Sequence, residues 1–150
     1  MGMDKLDPIE LNIFSSRVSA LCDEMGLVLK RAAFSPNIKD RLDYSCAIFD
    51  QEGEMVAQAD HMPVHLGSMS YAMRSIVQDL AWNQGDFLVL NDPYLGGTHL
   101  PDVTVITPAY ADNDELVGFI VNRAHHVNIG CDTPGSMPIS SYLEEEGLVI

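Results

Sequence analysis

Residues 102–108 and 116–125 read as two strands separated by Asp112-Asn113-Asp114, a triplet of turn formers. In the first run Val103 and Val105 alternate with Thr104, and Thr107 follows. The second is apolar from Leu116 and turns abruptly polar at Asn122. Strands joined this closely pair antiparallel as a hairpin, with successive side chains on opposite faces. With the turn centred near 113–114, residue 102 comes opposite residue 125. No other feature constrains the chain as much, because this register carries the loop before the first strand to the polar end of the second.

The remaining elements follow from spacing and punctuation. Asp7-Pro8 is a good helix opening, since Asp caps and Pro suits the first helical position. Ile9, Ile13, Val18, Leu21, Met25, Val28, Leu29 and Ala32 then recur at helical spacing until Pro36 stops the pattern, which predicts one long helix over 7–34. Residues 43–50 and 55–59 read as strands joined by the Gln51-Glu52-Gly53-Glu54 turn. Residues 60–67 read as a short connection rich in His and Pro. Ser68 is placed to cap a second amphipathic helix over 69–82. Gln84-Gly85-Asp86 turns the chain into a buried strand over 87–90. Residues 91–101 and 128–138 are shaped loops rich in Gly, Pro and Asn, and 142–147 reads as a single acidic helical turn. The predicted class is α+β, a hairpin-rich mixed sheet flanked by the long N-terminal helix and the second amphipathic helix. Its 150 residues are enough for one domain with a real core.

Eight Lys and Arg stand against 22 Asp and Glu, a formal net charge of -14. Phosphate backbones and anionic lipid surfaces repel such a chain, so neither a nucleic acid nor a membrane is an expected partner. The longest apolar runs fall far short of the ~20 residues that cross a bilayer. The N-terminus lacks a secretory pattern, and Leu6 stands where myristoylation wants Ser or Thr, so a cytoplasmic location is expected. Cys22, Cys46 and Cys131 are odd in number, widely spaced and without a CxxC, and read as reduced thiols rather than a disulfide or zinc framework.

Every histidine falls in one of three places: His61 with His65, His99, and His125 with His126. The strongest constellation joins Gly96-Gly97-Thr98-His99-Leu100-Pro101-Asp102 to Asn122-Arg123-Ala124-His125-His126. Two glycines permit a tight backbone approach, and Pro101 stiffens the link between His99 and Asp102. The hairpin register then adds His125. Two imidazoles and a carboxylate with open positions are a standard set for a catalytic divalent cation, and zinc, manganese and iron all suit it. His126 points away from its neighbour on a regular strand and is left as an indirect or substrate-side group. Asp43, at the mouth of a strand, is either a fourth ligand or general base, or a plain turn residue. His61 and His65 are either acid/base and substrate groups or loop histidines bonded to backbone. Asp92 reads as an Asx turn, and Met62, Met69 and Met73 as packing. No GxGxxG, GxxxxGK[ST] or GxSxG is present, so no ATP-phosphate loop or serine elbow is expected.

Asn91-Asp92-Pro93-Tyr94-Leu95-Gly96-Gly97-Thr98-His99-Leu100-Pro101-Asp102 is similar to the signature of the hydantoinase B/oxoprolinase family. Four further segments resemble it in the same order: Asp43-Tyr44-Ser45-Cys46-Ala47, Val64-His65-Leu66-Gly67-Ser68-Met69, Asn122-Arg123-Ala124-His125-His126 and Pro134-Gly135-Ser136-Met137-Pro138. The family includes B subunits of ATP-dependent hydantoin and lactam amidohydrolases, the matching half of 5-oxoprolinase, and α subunits of acetone carboxylases. The resemblance implies a B-type subunit of a hydrolase acting on small cyclic amides, in a hetero-oligomer with an A-type subunit. That partner binds and uses ATP to phosphorylate the substrate, and no ATP is bound here. It also implies metal ligands at His99, Asp102 and His125, with Asp43 as their neighbour; together with the reading of the residues above, Asp43, His65 and His126 are the catalytic candidates. An α-type subunit of an acetone or ketone carboxylase is the alternative, and a non-catalytic fragment that only binds its partner is another. Family B subunits are much longer, so residues 1–150 are expected to be the N-terminal portion of a longer catalytic domain.

Overall fold

In the computed structural model, which describes residues 7–59, 62–133 and 138–150, the first helix begins where capping chemistry places it. The Asp7 carboxylate accepts from the Ile9 amide at 3.1 Å, and Pro8 opens α1 (Pro8–Ala32). Lys30 and Arg31 face the negative end of its dipole. Pro36 both ends that pattern and starts a new turn, α2 (Pro36–Lys39), which the sequence does not predict. Next come β1 (Tyr44–Phe49), β2 (Met55–Gln58), α3 (Pro63–Asp79), β3 (Leu88–Leu90), β4 (Asp102–Tyr110) and β5 (Leu116–His125). Single 3-10 turns cover Pro93–Leu95 and Leu143–Glu145.

The second helix departs from expectation. It begins at Pro63 rather than at residue 69, and ends at Asp79. Pro63 and Gly67 look like loop residues, but Pro is favoured in a first turn, and a Cβ on Gly67 would meet nothing within 4 Å, so that glycine does not mark a close approach. His65 therefore sits on a helix rather than in a loop, and is 2% exposed. Asp60 and His61 lie outside the described residues, as do Pro134, Gly135, Ser136 and Met137 of the last family-like segment.

The strands form one sheet in the order β2-β1-β5-β4-β3, and all four pairings are antiparallel. The fold is α+β. The predicted hairpin is present with its predicted register, Asp102 opposite His125. The long-range step is β1 against β5, where Tyr44 pairs with Ala124 and Phe49 with Phe119. Alternation gives the sheet two faces. Tyr44, Cys46 and Ala124 face α1, packing with Met25 and Leu29. Ala47, Phe49, Phe119, Val121 and Ile106 face α3, where Met69, Met73 and Val77 complete the main core. Met69 and Met73 are packing residues, as expected. Each such fully buried side chain is worth ~1.5–3 kcal/mol of transfer free energy, so this second face carries much of the stability.

Cys22 is buried on α1, against Ala57 and Ala59, and Cys46 on β1. Burial, followed by the charge of Asp23, pushes the Cys22 thiol up to about 11; burial, followed by Cys22, pushes Cys46 up to about 12. The thiolate is the nucleophile, so both stay protonated until the pH approaches those values. A disulfide reagent at pH 8 is expected to titrate Cys131 alone in the folded chain and all three cysteines in guanidinium. Fast native labelling of three thiols would contradict this packing.

Candidate metal centre

One end of the sheet's α3 face carries a polar row where the other end carries the core. Extending the β1–β5 register by one residue sets Asp43 opposite His125, and the His125 amide donates to the Asp43 carbonyl at 2.9 Å. On the far side of β5, Asp102 of β4 faces His125. The three residues thus cross three strands in a line. Leu42, just before Asp43, holds φ +57°, a left-handed conformation costing ~1–3 kcal/mol for a residue with a Cβ. The first turn of α3 contributes His65 from above the sheet.

His99 arrives from the loop between β3 and β4, whose shape depends on close contacts. Asp92 accepts from the Tyr94 amide at 2.8 Å, the Asx-type turn read from the sequence. Gly96 adopts φ +99°, and a Cβ there would lie 2.1 Å from that of Ala72 on α3. A Cβ on Gly97 would lie 2.5 Å from the Asn91 carbonyl oxygen. Gly96 lets the loop press against the helix, and Gly97 lets it fold against its own start. It then turns back, the Asp102 amide donating to the His99 carbonyl at 2.8 Å.

His99, Asp102 and His125 each present a ligand atom, all within 4.8 Å of one another. The two imidazoles are 5.3 Å apart, centre to centre. His125 Nδ1 lies 2.6 Å from Asp102 Oδ1, so that nitrogen carries the proton and donates it. His125 Nε2 is left bare, buried and without any hydrogen-bond partner. A buried polar atom of this kind calls for an explanation, and a ligand-accepting lone pair supplies one. Asp102 Oδ2 accepts from the Thr98 hydroxyl at 2.5 Å. Burial alone would push the Asp102 carboxyl up. Hydrogen bonds from His125 and Thr98, with the His65 imidazole close by, outweigh it and hold the group well below the usual carboxylate range. The same bond raises His125 above the ordinary imidazole value, against its burial. His65 Nε2 stands 3.5 Å from Asp43 Oδ1 and 3.7 Å from Asp102 Oδ1, and its Nδ1 lies 3.3 Å from the Ser45 hydroxyl. Its Nε2 thus stands between two carboxylates.

Five of the six site residues picked from the sequence, Asp43, His65, His99, Asp102 and His125, converge here. His126 does not. Its amide donates to the Pro101 carbonyl, and its exposed side chain lines a separate cleft of about 390 Å³ with Phe34, Val103 and Val105, on the α1 face. Strand alternation separates the two histidines, as it must. Ser45, Thr98 and Arg123 were given no role from the sequence. Arg123 is the most informative omission: 1% exposed on the α3 face, it donates from Nε to Thr104 Oγ1 at 2.7 Å and from Nη2 to the Gly96 carbonyl at 2.8 Å, and from Nη1 to the Ser68 hydroxyl. A charged residue on the same face of β5 as Phe119 and Val121, two positions before His125, was the available signal.

A family model described as hydantoinase B/oxoprolinase matches residues 7–150. A 5-oxoprolinase of Saccharomyces cerevisiae is 48% identical over 150 residues, covering 97% of this chain and 12% of the yeast protein. Among solved structures, the ATP-dependent caprolactamase of Pseudomonas jessenii superposes with a TM-score of 0.84 at 29% identity, over 98% of this chain and 26% of that one. A nucleotide-free acetone carboxylase shares the fold, with a TM-score of 0.87 at 22% identity, over 97% of this chain and 20% of its own. The chain spans a small part of each of these proteins.

The loop that carries His99 is expected to tolerate no side chain at its glycines. Gly96→Ala combines a left-handed backbone with overpacking against Ala72, and should cost about 2–4 kcal/mol in urea unfolding. A loss below 0.5 kcal/mol would mean that the loop does not press on α3 as described.

Proposed function

Because the chain belongs to the hydantoinase B/oxoprolinase family, we propose that it forms the cation-holding part of a B-type subunit in an ATP-dependent hydrolase of small cyclic amides. The observation that carries the metal assignment is His125 Nε2, buried and unpartnered beside His99 and Asp102. His99, Asp102 and His125 would hold a divalent cation. Zinc, manganese or iron suits two imidazoles and a carboxylate. When bound, such an ion supplies Lewis acidity toward water or a carbonyl oxygen.

The chain's own residues arrange the rest. Asp102 Oδ1 accepts the hydrogen bond from His125 Nδ1, fixing the tautomer whose Nε2 faces the ligand. Asp43 Oδ1, a quarter exposed, and His65 Nε2 lie side by side at the edge of the cluster. They are placed to accept a proton from attacking water and to return one to the leaving nitrogen. The Ser45 hydroxyl anchors the far side of the His65 ring, and itself accepts from the Met62 amide. His126 takes no part in this arrangement. The partner is an A-type subunit that uses ATP to activate the amide oxygen. The names of the related 5-oxoprolinase and caprolactamase support the substrate class.

Two measurements test this. Metal analysis of the purified chain should find about one divalent ion per chain, falling to less than about a tenth of that in His99→Ala/Asp102→Ala, since removing ligands leaves too few for a stable site. Equal metal in both rejects the site. In the full-length subunit with its A-type partner, ATP-dependent ring opening of a lactam or hydantoin should be lost with either substitution. Incorporation of bicarbonate without ring opening would instead assign a carboxylase.

A further inference from the structure

Arg123 is a buried cation with no carboxylate within ion-pair distance among the described residues; its acceptors are neutral. For stability alone this is a poor choice, because desolvating a guanidinium is costly and an apolar side chain fills the same space without that cost. What distinguishes Arg123 is where its bonds end. Thr104 lies two residues beyond Asp102 on the same face of β4. Gly96 opens the turn that delivers His99. Ser68 lies one turn along α3 from His65, and its hydroxyl donates to the His65 carbonyl at 3.0 Å. Arg123 itself sits two residues before His125 on β5. We infer that Arg123 is a positioning residue for the metal centre: its planar fork ties together the four elements that bring His65, His99, Asp102 and His125 to one point.

The inference rests on the metal reading proposed above and adds a geometric requirement to it. Three acceptors around a rigid plane suit a guanidinium and not an ammonium, which offers a compact charge on a flexible stem. Arg123→Lys therefore keeps the charge and loses the spacing.

Zinc affinity of the purified chain, measured by competition with a chromophoric chelator, should fall about 10–100-fold in Arg123→Lys and Arg123→Gln, the range typical when a group supporting a metal ligand is removed. Phe119→Leu, a core change six residues and ~20 Å along β5 from His125, serves as a control. It should lower Tm and leave zinc affinity unchanged, separating positioning from general loss of stability. A metal-free readout accompanies this. The Gly97 and Asp102 amides, bonded to the Asp92 and His99 carbonyls, should exchange hydrogen faster in the Arg123 variants and at the wild-type rate in Phe119→Leu. Wild-type zinc affinity and wild-type exchange in Arg123→Lys would overturn the inference. A wild-type chain that binds no zinc would overturn the metal reading instead, and the exchange rates would then decide the positioning claim alone. Should the Arg123 variants fail to fold, Ser68→Ala and Thr104→Val each remove one acceptor and carry the same two readouts.

Discussion

The structure depends on the double pairing of β5. On one side it meets β4, its hairpin partner, and on the other β1, which ends far earlier in the sequence, at Phe49. Each pairing is antiparallel, and each places a carboxylate opposite His125. Asp102 reaches it with a 2.6 Å hydrogen bond, and Asp43 comes alongside through its backbone. Strand spacing of ~4.8 Å sets the distance between neighbours in this row, so the chemistry inherits its dimensions from the sheet.

The same face of the sheet is divided between two environments. Phe49, Phe119, Val121 and Ile106 pack under Met69, Met73 and Val77 at one end. At the other, Ser45, Arg123, Asp102 and His125 are as thoroughly buried but polar. Burying polar groups is tolerated only when they bond to one another. Here they do, through Thr98, Thr104, Ser68 and the Gly96 carbonyl. His125 Nε2 is the exception within the cluster, and it is the atom that a ligand would meet. The apolar half supplies a rigid floor for α3, and α3 brings His65 over the polar half.

Much of the site was legible because it is built on a short-range hairpin. Counting from the Asp112-Asn113-Asp114 turn was enough to set residue 102 against 125, and the loop carrying His99 follows directly upstream. His65 was harder to place. Pro63 and Gly67 carry the same local signal whether they end a loop or sit in a first helical turn, and only packing of Leu66, Met69 and Met73 on the sheet selects the helix. Asp43 was ambiguous for a different reason, since nothing local says which strand β1 will join.

By itself the sequence determined the α+β class, the β4–β5 register, the two glycines of the His99 loop and the meeting of His99, Asp102 and His125. These depend on interactions between residues close along the chain: turns, alternation and capping. Only the tertiary structure decided that Asp43 lies opposite His125, that His126 faces the other side of the sheet, and that Arg123 joins four elements. Those outcomes come from strand order and from the two-faced burial of one sheet. They are set by which long-range surfaces exclude water together, and no local pattern encodes that.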